Sequence, residues 1–328
     1  MRRGEDLMEL SGIPVIDVGP ALDGDPAGMA RVAARLDEVY TTLGFGFIAN
    51  HGIDSGVVEG VFAASRAFHA LPRADKEAIA IDEAHRGFIQ MASSTIVTSS
   101  VDAVRRPNQS ESFMVMHEQG PGHPDVLAGV PLSGPNQWPA ALPEIRGPIE
   151  AYVEAMRDLC RRLSRVVALA IAGDAAALDA HFEEPVTFLR LLWYPEQPAD
   201  APDDLYGAAP HTDYGFLTLL AQDDHPGLAV RTPGGEWLDV PVAPGLFVMN
   251  SADILQRWSN GRWVSTPHRV VNRSGAERFS VPFFYDPHMN TVVRPFGRGG
   301  AERYEPVVYG EYLIERLKKN YVRHADRA

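Results

Sequence analysis

The sequence predicts a mixed α+β protein dominated by a β core, in which an antiparallel jelly roll or barrel is flanked by helices. Three observations lead to this prediction. The stretch from residue 186 to 290 consists of short β-like runs separated by turn residues, which is typical of a jelly roll. In the stretch before it, apolar residues recur every three or four positions, which is typical of helices packed on a core. One further amphipathic segment, residues 309–321, follows the β-like stretch and is predicted to be a helix.

Length and composition predict one globular unit over residues 1–328. The chain has 45% hydrophobic and 22% charged residues, which is ordinary for a soluble protein with ample core. No Ser/Gly-rich or charged linker interrupts the chain, so we expect one unit rather than two. The net charge and the lack of a coiled-coil pattern favour a monomer. Within the unit we expect four regions: an N-terminal mixed α/β region (1–110), a helical region (111–185), a jelly-roll core (186–290) and a C-terminal helical segment (291–328).

Charge and cysteine content exclude several classes of function. The formal net charge of −13 disfavours nucleic acid or an anionic membrane as a partner, since both attract clustered Lys and Arg. The longest apolar run, 166–172, is too short to span a bilayer, and no hydrophobic signal-peptide core follows the N-terminus. Cytoplasm is therefore the expected location. The single cysteine, Cys160, excludes an internal disulfide and is interpreted as a small buried hydrophobe.

The first two regions contain the predicted flanking helices. A short strand is predicted over 15–17, a helix over 27–43, a strand over 45–49 and a helix over 55–70. The clearest helix is predicted over 148–172, because a single apolar stripe runs along it. It has Pro148 near its start and Gly173 at its end. The stripe consists of Ile149, Tyr152, Val153, Met156, Leu159, Cys160, Leu163, Val166 and Val167.

The predicted core consists of short strands joined by turns that contain Pro, Gly and Asn. Pro233-Gly234-Gly235, Pro244-Gly245 and Asn260-Gly261 supply turns. A C-terminal helix over 309–321 is expected to pack across the core. The predicted strands span 188–193, 216–222, 236–240, 246–249, 262–271 and 279–285.

One His-x-Asp triplet is placed to bind a metal ion. The pattern occurs three times, beginning at residues 123, 211 and 324. The first copy lies in a Pro/Gly-rich loop, where a turn is expected, and the last lies at the C-terminus. Only His211-Thr212-Asp213 leads directly into a β-rich segment. Residues two apart on an extended chain point to the same side, so His211 and Asp213 can bind one ion.

A second histidine and a basic motif complete the pattern. His268 follows Asp213 by 55 residues, and Arg278 and Ser280 come ten and twelve residues after His268. Two imidazoles and one carboxylate are the facial triad that holds Fe(II) and leaves positions open for substrate and O2. Histidines on strands are more often structural, and arginines more often form surface ion pairs. An inward-pointing Arg278, however, needs a buried anion.

Eight motifs in the expected order, spread over most of the chain, resemble one known family. They are 13–17 (IPVID), 44–53 (GFGFIANHGI), 134–139 (GPNQWP), 211–220 (HTDYGFLTLL), 250–256 (NSADILQ), 259–262 (SNGR), 265–270 (STPHRV) and 278–280 (RFS). With these motifs the chain resembles the isopenicillin N synthase-like family of Fe(II)/2-oxoglutarate-dependent dioxygenases. The resemblance implies a double-stranded β-helix (a jelly roll) flanked by helices.

The resemblance also implies an activity. His211, Asp213 and His268 would bind Fe(II), and 2-oxoglutarate would chelate it through its keto oxygen and adjacent carboxylate. Arg278 and Ser280 would bind the far carboxylate. With O2, oxidative decarboxylation to succinate and CO2 would be coupled to hydroxylation, desaturation or cyclisation of a small organic substrate. Tyr194 aligns with a family tyrosine that can contact 2-oxoglutarate. Because Leu192 stands where many members have Asn, one hydrogen bond is absent and core packing is the alternative for Tyr194.

The substrate is expected to be a small organic acid, an amino-acid derivative or a secondary metabolite. Arg86 is a candidate for pairing with a substrate carboxylate, with a solvated loop arginine as the alternative. Aromatic residues on strands indicate a partly apolar substrate, or only core packing. The candidate lining residues are Arg86, Phe88, Phe113, Trp193, Tyr214, Phe216, Phe284 and Tyr285.

Two other functions remain open at this point. An oxidase of the same fold would use Fe(II) and O2 and take all four electrons from its substrate, and the RxS motif does not distinguish it. A non-catalytic jelly-roll binding protein would have a vestigial or structural metal site. The intact set of metal and anion ligands disfavours that function.

Overall fold

The fold is built from fifteen strands and eight α-helices in the part of the chain that the structure describes. The computed structural model describes residues 9–97, 99–101, 103–198, 200–296 and 301–320. The strands are β1 (Glu9–Leu10), β2 (Ile13–Asp17), β3 (Phe45–Ala49), β4 (Gly87–Ile89), β5 (Glu111–Met116), β6 (Val186–Tyr194), β7 (Ala208–His211), β8 (Leu217–Gln222), β9 (Leu228–Arg231), β10 (Trp237–Asp239), β11 (Phe247–Ser251), β12 (His268–Val270), β13 (Arg278–Asp286), β14 (Val292–Val293) and β15 (Val307–Val308).

Three long helices cover one side of the strands, and shorter ones occur in the connections. In the described residues, no helix is both long enough and apolar enough to cross a membrane. The helices are α1 (Gly19–Leu22), α2 (Pro26–Tyr40), α3 (Ser55–His69), α4 (Arg73–Glu77), α5 (Pro124–Leu127), α6 (Arg146–Ala172), α7 (Asp253–Trp258) and α8 (Tyr309–Asn320).

Two sheets form the jelly roll. The larger sheet has the strand order β1-β2-β3-β11-β8-β13-β6-β5-β4, and the smaller has the order β10-β9-β12-β7. All pairs in both sheets are antiparallel except β2 with β3. Strands from the N-terminal region therefore extend both edges of the larger sheet. The jelly-roll core is continuous with the N-terminal region rather than separate from it.

Local sequence explains where the long helices begin and end. The Asp25 side chain accepts hydrogen bonds from the amides of residues 27 and 28 at the start of α2, and Pro26 occupies its first turn. Asp54 caps α3 in the same way. Helix α6 ends at Gly173, whose φ of 80° places it in the left-handed region that favours glycine. The apolar stripe of α6 is buried against α2 and α3, as its periodicity predicts.

Strand alternation divides the apolar residues into two cores. Leu189 and Leu191 of β6 face the helices and join the larger core. Leu192 and Tyr194, of opposite parity, face the interior of the roll. The inner core also contains Ile13, Val15, Phe45, Phe47, Leu228, Val230, Val248 and Val270. One end of this interior remains open, and the candidate site lies there.

Two predicted elements are shorter than expected. The predicted helix 27–43 stops at Tyr40, because the next residues turn sharply into β3. Gly44 has a φ of +69°, and a Cβ there would lie 2.3 Å from the Val264 carbonyl oxygen. The predicted strand 262–271 is reduced to β12. Arg262 and Trp263 instead direct their side chains to Asp37, which anchors this loop to α2.

Several elements were not predicted. Strand β5 begins the region expected to be helical, and it was missed because all six of its residues are buried and show no alternation. Strands β7 and β9 have only four residues each and lack a clear pattern. The first His-x-Asp triplet, expected in a turn, leads into the four-residue α5. The third triplet, and Tyr321 at the end of the predicted C-terminal helix, lie outside the described residues.

Candidate metal centre and co-substrate pocket

The three predicted metal ligands meet at the open end of the jelly roll. His211 is the last residue of β7, and it lies opposite His268, the first residue of β12, in the antiparallel pair. Asp213 lies two residues beyond β7, in the loop that leads to β8. The strand pairing therefore brings the two histidines together, and the short loop returns Asp213 to the same point.

The distances between these side chains suit a shared ion. Oδ1 of Asp213 lies 3.8 Å from Nε2 of His211 and 3.7 Å from Nε2 of His268. Imidazole and carboxylate ligands lie about 2.1 Å from a first-row ion, so two of them on one ion are at most about 4.2 Å apart. Both distances fall within this limit. One ligand atom from each of the three residues lies within 4.8 Å of the others.

Hydrogen bonds outside the triad aim its ligand atoms inwards. Oδ2 of Asp213 accepts from Thr218 Oγ1 at 2.6 Å and from Asn250 Nδ2 at 2.7 Å, which leaves Oδ1 facing the histidines. Nδ1 of His211 donates to a backbone carbonyl oxygen at 2.8 Å, and Nδ1 of His268 does the same at 3.2 Å. Each histidine thus keeps its Nε2 lone pair for a ligand.

The electrostatic environment favours the metal-binding protonation states of His211 and Asp213. Burial, followed by the charge of His268, lowers the pKa of His211 to about 4. Burial alone would raise the pKa of Asp213. The neighbouring His268 and His211, with the hydrogen bonds from Thr218 and Asn250, hold it below its usual value. Neutral imidazole beside an ionised carboxylate is the state that binds a divalent cation.

A buried cationic pocket lies beside the triad. Arg278 is fully buried, yet its described partners are neutral: Nε donates to the His225 carbonyl oxygen and Nη2 to Gln222 Oε1, both at 3.1 Å. Its guanidinium lies 5.1 Å from the Tyr194 ring centre. Ser280 Oγ lies 3.5 Å from the Tyr194 hydroxyl oxygen.

One nitrogen of this guanidinium has no partner among the described residues. Nη1 of Arg278 is buried and forms no hydrogen bond with them. An unsatisfied N–H on a buried cation is costly unless a ligand supplies an acceptor, and a carboxylate is the acceptor that a guanidinium binds best. The pocket therefore fits the far carboxylate of a keto diacid.

One cavity contains both the triad and the cationic pocket. Of the eight substrate residues predicted from the sequence, it includes Tyr214 and Phe284. Another side of the cavity is lined by three residues of α8, namely Leu313, Leu317 and Asn320. Its polar and charged lining is His85, Ser94, Asn108, Ser110, Arg190, Tyr194, His211, Thr212, Asp213, Tyr214, Thr218, Asn250, His268, Arg278, Ser280, Asp286 and Asn320.

The structure does not support Arg86 as a substrate ligand. The side chain is fully buried, and its guanidinium donates to the backbone carbonyl oxygens of Ala84, Leu132 and His117 at 2.6 to 2.9 Å. Arg86 does not line the cavity. It joins three segments of the N-terminal and helical regions, and burial lowers its pKa to about 10.

Five predicted aromatic residues also lie outside the cavity lining. Phe113 stacks on Phe68 beneath the helices, at a ring-centre distance of 4.5 Å, and Phe88 is part of the same core. Tyr285 and Phe216 pack against another phenylalanine, Phe182. The indole N–H of Trp193 donates to Glu277 at 2.7 Å. These aromatic side chains pack in the protein rather than around the cavity.

Sequence reasoning also missed cavity residues. Arg190 lines the cavity between Phe188 and Leu192, and its position in β6, four residues before Tyr194, was the available signal. Asp286, two residues after Phe284 in β13, faces the cavity by the same alternation.

A second group of metal-type ligands occurs away from the cavity. The group consists of Asp125, Glu184 and His288. Nε2 of His288 lies 3.2 Å from Oδ2 of Asp125, and Glu184 is close to both. Glu184 is exposed, and Oδ2 of Asp125 also accepts from Gln119 at 3.1 Å. These contacts are those of a partly exposed hydrogen-bonded cluster.

The fold and the site together define a jelly-roll protein with a 2-His-1-carboxylate group of side chains and an adjoining buried cationic pocket. Comparisons with known proteins agree with this description of the fold and the site. Residues 183–287 match the 2OG-Fe(II) oxygenase superfamily model, and residues 13–141 match the model of the non-haem dioxygenase in morphine synthesis N-terminal region. The chain belongs to the 2OG-Fe(II) oxygenase superfamily and is an Fe(II)/2-oxoglutarate-dependent dioxygenase.

Similar proteins can be aligned with nearly the whole chain. The homoarginine-6-hydroxylase 2-ODD-C23.1 of Arabidopsis thaliana is 34% identical over 95% of this chain and 98% of its own length. The 2-oxoglutarate-Fe(II) type oxidoreductase hxnY of Emericella nidulans is 33% identical over 94% of this chain and 90% of its own. The crystal structure of a full-length Neurospora crassa protein in complex with alpha-KG and thymine superposes with a TM-score of 0.83. Its identity is 28%, over 95% of this chain and 99% of that one.

Proposed function

We propose that His211, Asp213 and His268 are the Fe(II) ligands of this dioxygenase. We further propose that Arg278, Ser280 and Tyr194 bind the far carboxylate of 2-oxoglutarate. The observation that carries the second proposal is the buried Nη1 of Arg278, which has no acceptor among the described residues, while Arg278 lines the same cavity as the triad. Its burial makes a ligand carboxylate the natural acceptor.

Each residue then has a defined task in the reaction. Iron, when bound, supplies the oxidation chemistry in which O2 and 2-oxoglutarate yield succinate, CO2 and an oxidised substrate. Asp213 supplies one anionic oxygen, because Thr218 and Asn250 occupy its other oxygen. Arg278 fixes the far end of 2-oxoglutarate. Tyr194 lies against the guanidinium and restricts its orientation.

We propose that the prime substrate is a small organic molecule that is hydroxylated, desaturated or cyclised. Tyr214 and Phe284 offer aromatic surfaces in the cavity. The names of similar proteins refer to homoarginine and thymine, which are small molecules. The N-terminal family description refers to morphine synthesis, which favours a role in secondary metabolism. We also propose a monomer in the cytoplasm, and the acidic net charge disfavours a nucleic-acid or anionic-membrane partner.

Purified protein loaded with Fe(II) and given O2 and 2-oxoglutarate tests the ligand assignments. We expect succinate release in the wild type, and loss of both succinate release and iron in the His211→Ala and Asp213→Ala variants. Arg273→Met, which changes an exposed arginine paired with Asp203, is the control and should behave as wild type. Full iron binding by His211→Ala and Asp213→Ala would contradict the proposed triad. O2 consumption without succinate release would favour the oxidase alternative.

A further inference from the structure

The interior face of β6 carries a second arginine in the cavity. Phe188, Arg190, Leu192 and Tyr194 all line the cavity, as alternate residues of one strand do. Tyr194 lies against Arg278, and the strand rises about 3.3 Å per residue, so Arg190 lies about 13 Å from Tyr194 along β6. This arginine is therefore well separated along β6 from the Arg278 pocket.

Arg190 has unused hydrogen-bonding capacity. Its Nε donates to Ser112 Oγ of the neighbouring strand at 2.8 Å, which fixes the plane of the guanidinium. Among the described residues it has no carboxylate partner. The two terminal nitrogens remain available to a ligand in the cavity.

The charges of the cavity leave Arg190 unbalanced once the proposed ligands are bound. Fe(II) and Asp213 together leave one positive charge, and Arg278 adds a second. The two carboxylates of 2-oxoglutarate cancel both. The other described carboxyl group of the lining, Asp286, accepts from the Phe216 amide and the Tyr309 hydroxyl, at 2.7 Å each. Asp286 forms no ion pair with Arg190 among the described contacts, so this guanidinium still lacks a directly paired anion.

We infer that Arg190 binds a carboxylate of the prime substrate, so that the substrate is a small organic acid with an apolar or aromatic body. This inference rests on the proposed function of the same cavity. The body would lie against Tyr214 and Phe284, which line the cavity with Arg190. The arginine thereby takes the role that the sequence suggested for Arg86.

Matched acids and amides test this inference on the whole protein. Wild type, Arg190→Gln and Arg190→Lys are loaded with Fe(II) and saturating 2-oxoglutarate under argon, so that the Arg278 pocket is filled. Binding of phenylacetate, 3-phenylpropanoate and hexanoate is measured by calorimetry beside that of the corresponding primary amides. We expect at least one acid to bind the wild type ten times more tightly than its amide. Arg190→Gln should lose this preference, and Arg190→Lys, which keeps the charge, should retain part of it.

The affinity for 2-oxoglutarate, measured on the same samples, separates this inference from the proposed function. We expect it to stay within threefold of wild type in both variants, which also shows that they are folded. If no acid is preferred over its amide by the wild type, or if the preference persists in Arg190→Gln, Arg190 does not bind the substrate. A large loss of 2-oxoglutarate affinity in Arg190→Gln would assign this arginine to the co-substrate instead. Failure of the wild type to bind 2-oxoglutarate would contradict the proposed function itself.

Discussion

Replacing Arg278 by methionine should remove most of the affinity for 2-oxoglutarate and leave iron binding intact. Methionine fills a similar elongated space with an adaptable side chain, but it offers no donor and no charge. Arg278 is fully buried and does not contact the triad through any described hydrogen bond. The substitution therefore separates recognition of the co-substrate from recognition of the metal.

The expected size of the effect follows from the hydrogen bonds that are lost. Nη1 has no partner in the described part of the chain, and a carboxylate placed there can also reach Nη2. A hydrogen bond to a charged group contributes about 1.5–3 kcal/mol, so two such bonds contribute roughly 3 kcal/mol or more. Each 1.4 kcal/mol corresponds to about a tenfold change, so the Kd for 2-oxoglutarate should rise about 100-fold or more.

Unfolding in urea under argon, with Fe(II) present and with or without 2-oxoglutarate, measures this loss directly. At a co-substrate concentration of 100 times the wild-type Kd, the wild type should gain about 2.7 kcal/mol of unfolding free energy. At the same concentration, a variant with a 100-fold higher Kd should gain only about 0.4 kcal/mol. The exposed Arg273→Met variant is the matched control and should gain as much as the wild type.

Each protein is compared with itself, with and without 2-oxoglutarate. The increase in unfolding free energy therefore does not depend on any change in basal stability. Loss of Arg278 leaves Gln222 Oε1 and the His225 carbonyl oxygen without this donor, which lowers basal stability. Removal of a buried charge acts in the opposite direction. An Arg278→Met protein that gains the full 2.7 kcal/mol would refute the assignment of Arg278 to the co-substrate.

Three further predictions concern the triad and its surroundings. His211→Ala should bind no Fe(II) in equilibrium dialysis while its far-ultraviolet circular dichroism stays that of wild type, and retained iron would argue against the triad. Asn250→Leu leaves Thr218 as the remaining side-chain donor to Asp213, so the Fe(II) Kd should rise about 10- to 100-fold, and an unchanged Kd would contradict the orienting role. Burial raises the pKa of Asp286 to about 7, so the metal-free folded state binds its proton more tightly than the unfolded state does. The difference in unfolding free energy between wild type and Asp286→Asn should therefore decrease by at most about 4 kcal/mol as the pH rises from about 4 to about 7. A difference that does not change with pH would show that the carboxyl group ionises normally.

Alternation explains which site residues the sequence could predict. Arg278 and Ser280 occupy one face of β13, and the same parity places Phe284 in the cavity. Tyr285 has the opposite parity and packs among the helices, so the two neighbours could not both line the cavity. The same rule applied to β6 would have rejected Trp193 and found Arg190.

Tertiary contacts decided what local sequence could not show. Arg86 precedes the short strand β4, and nothing near it in the sequence indicates the three carbonyl oxygens around its guanidinium. Asp213 was expected to share a strand face with His211, but it lies beyond the end of β7. The two-residue spacing nevertheless predicted that the side chains of His211 and Asp213 lie close together. A short loop also returns the carboxylate to the histidine.

The most direct test of the proposed site is an anaerobic titration of the metal-free protein with Fe(II) and then 2-oxoglutarate, followed by visible absorption. The account predicts a weak charge-transfer band that saturates at one equivalent of each ligand as the keto acid chelates the iron. The band should be absent in His211→Ala and should need about 100 times more 2-oxoglutarate in Arg278→Met. A wild type that binds Fe(II) without developing the band, or an Arg278→Met variant that titrates as wild type does, would contradict it.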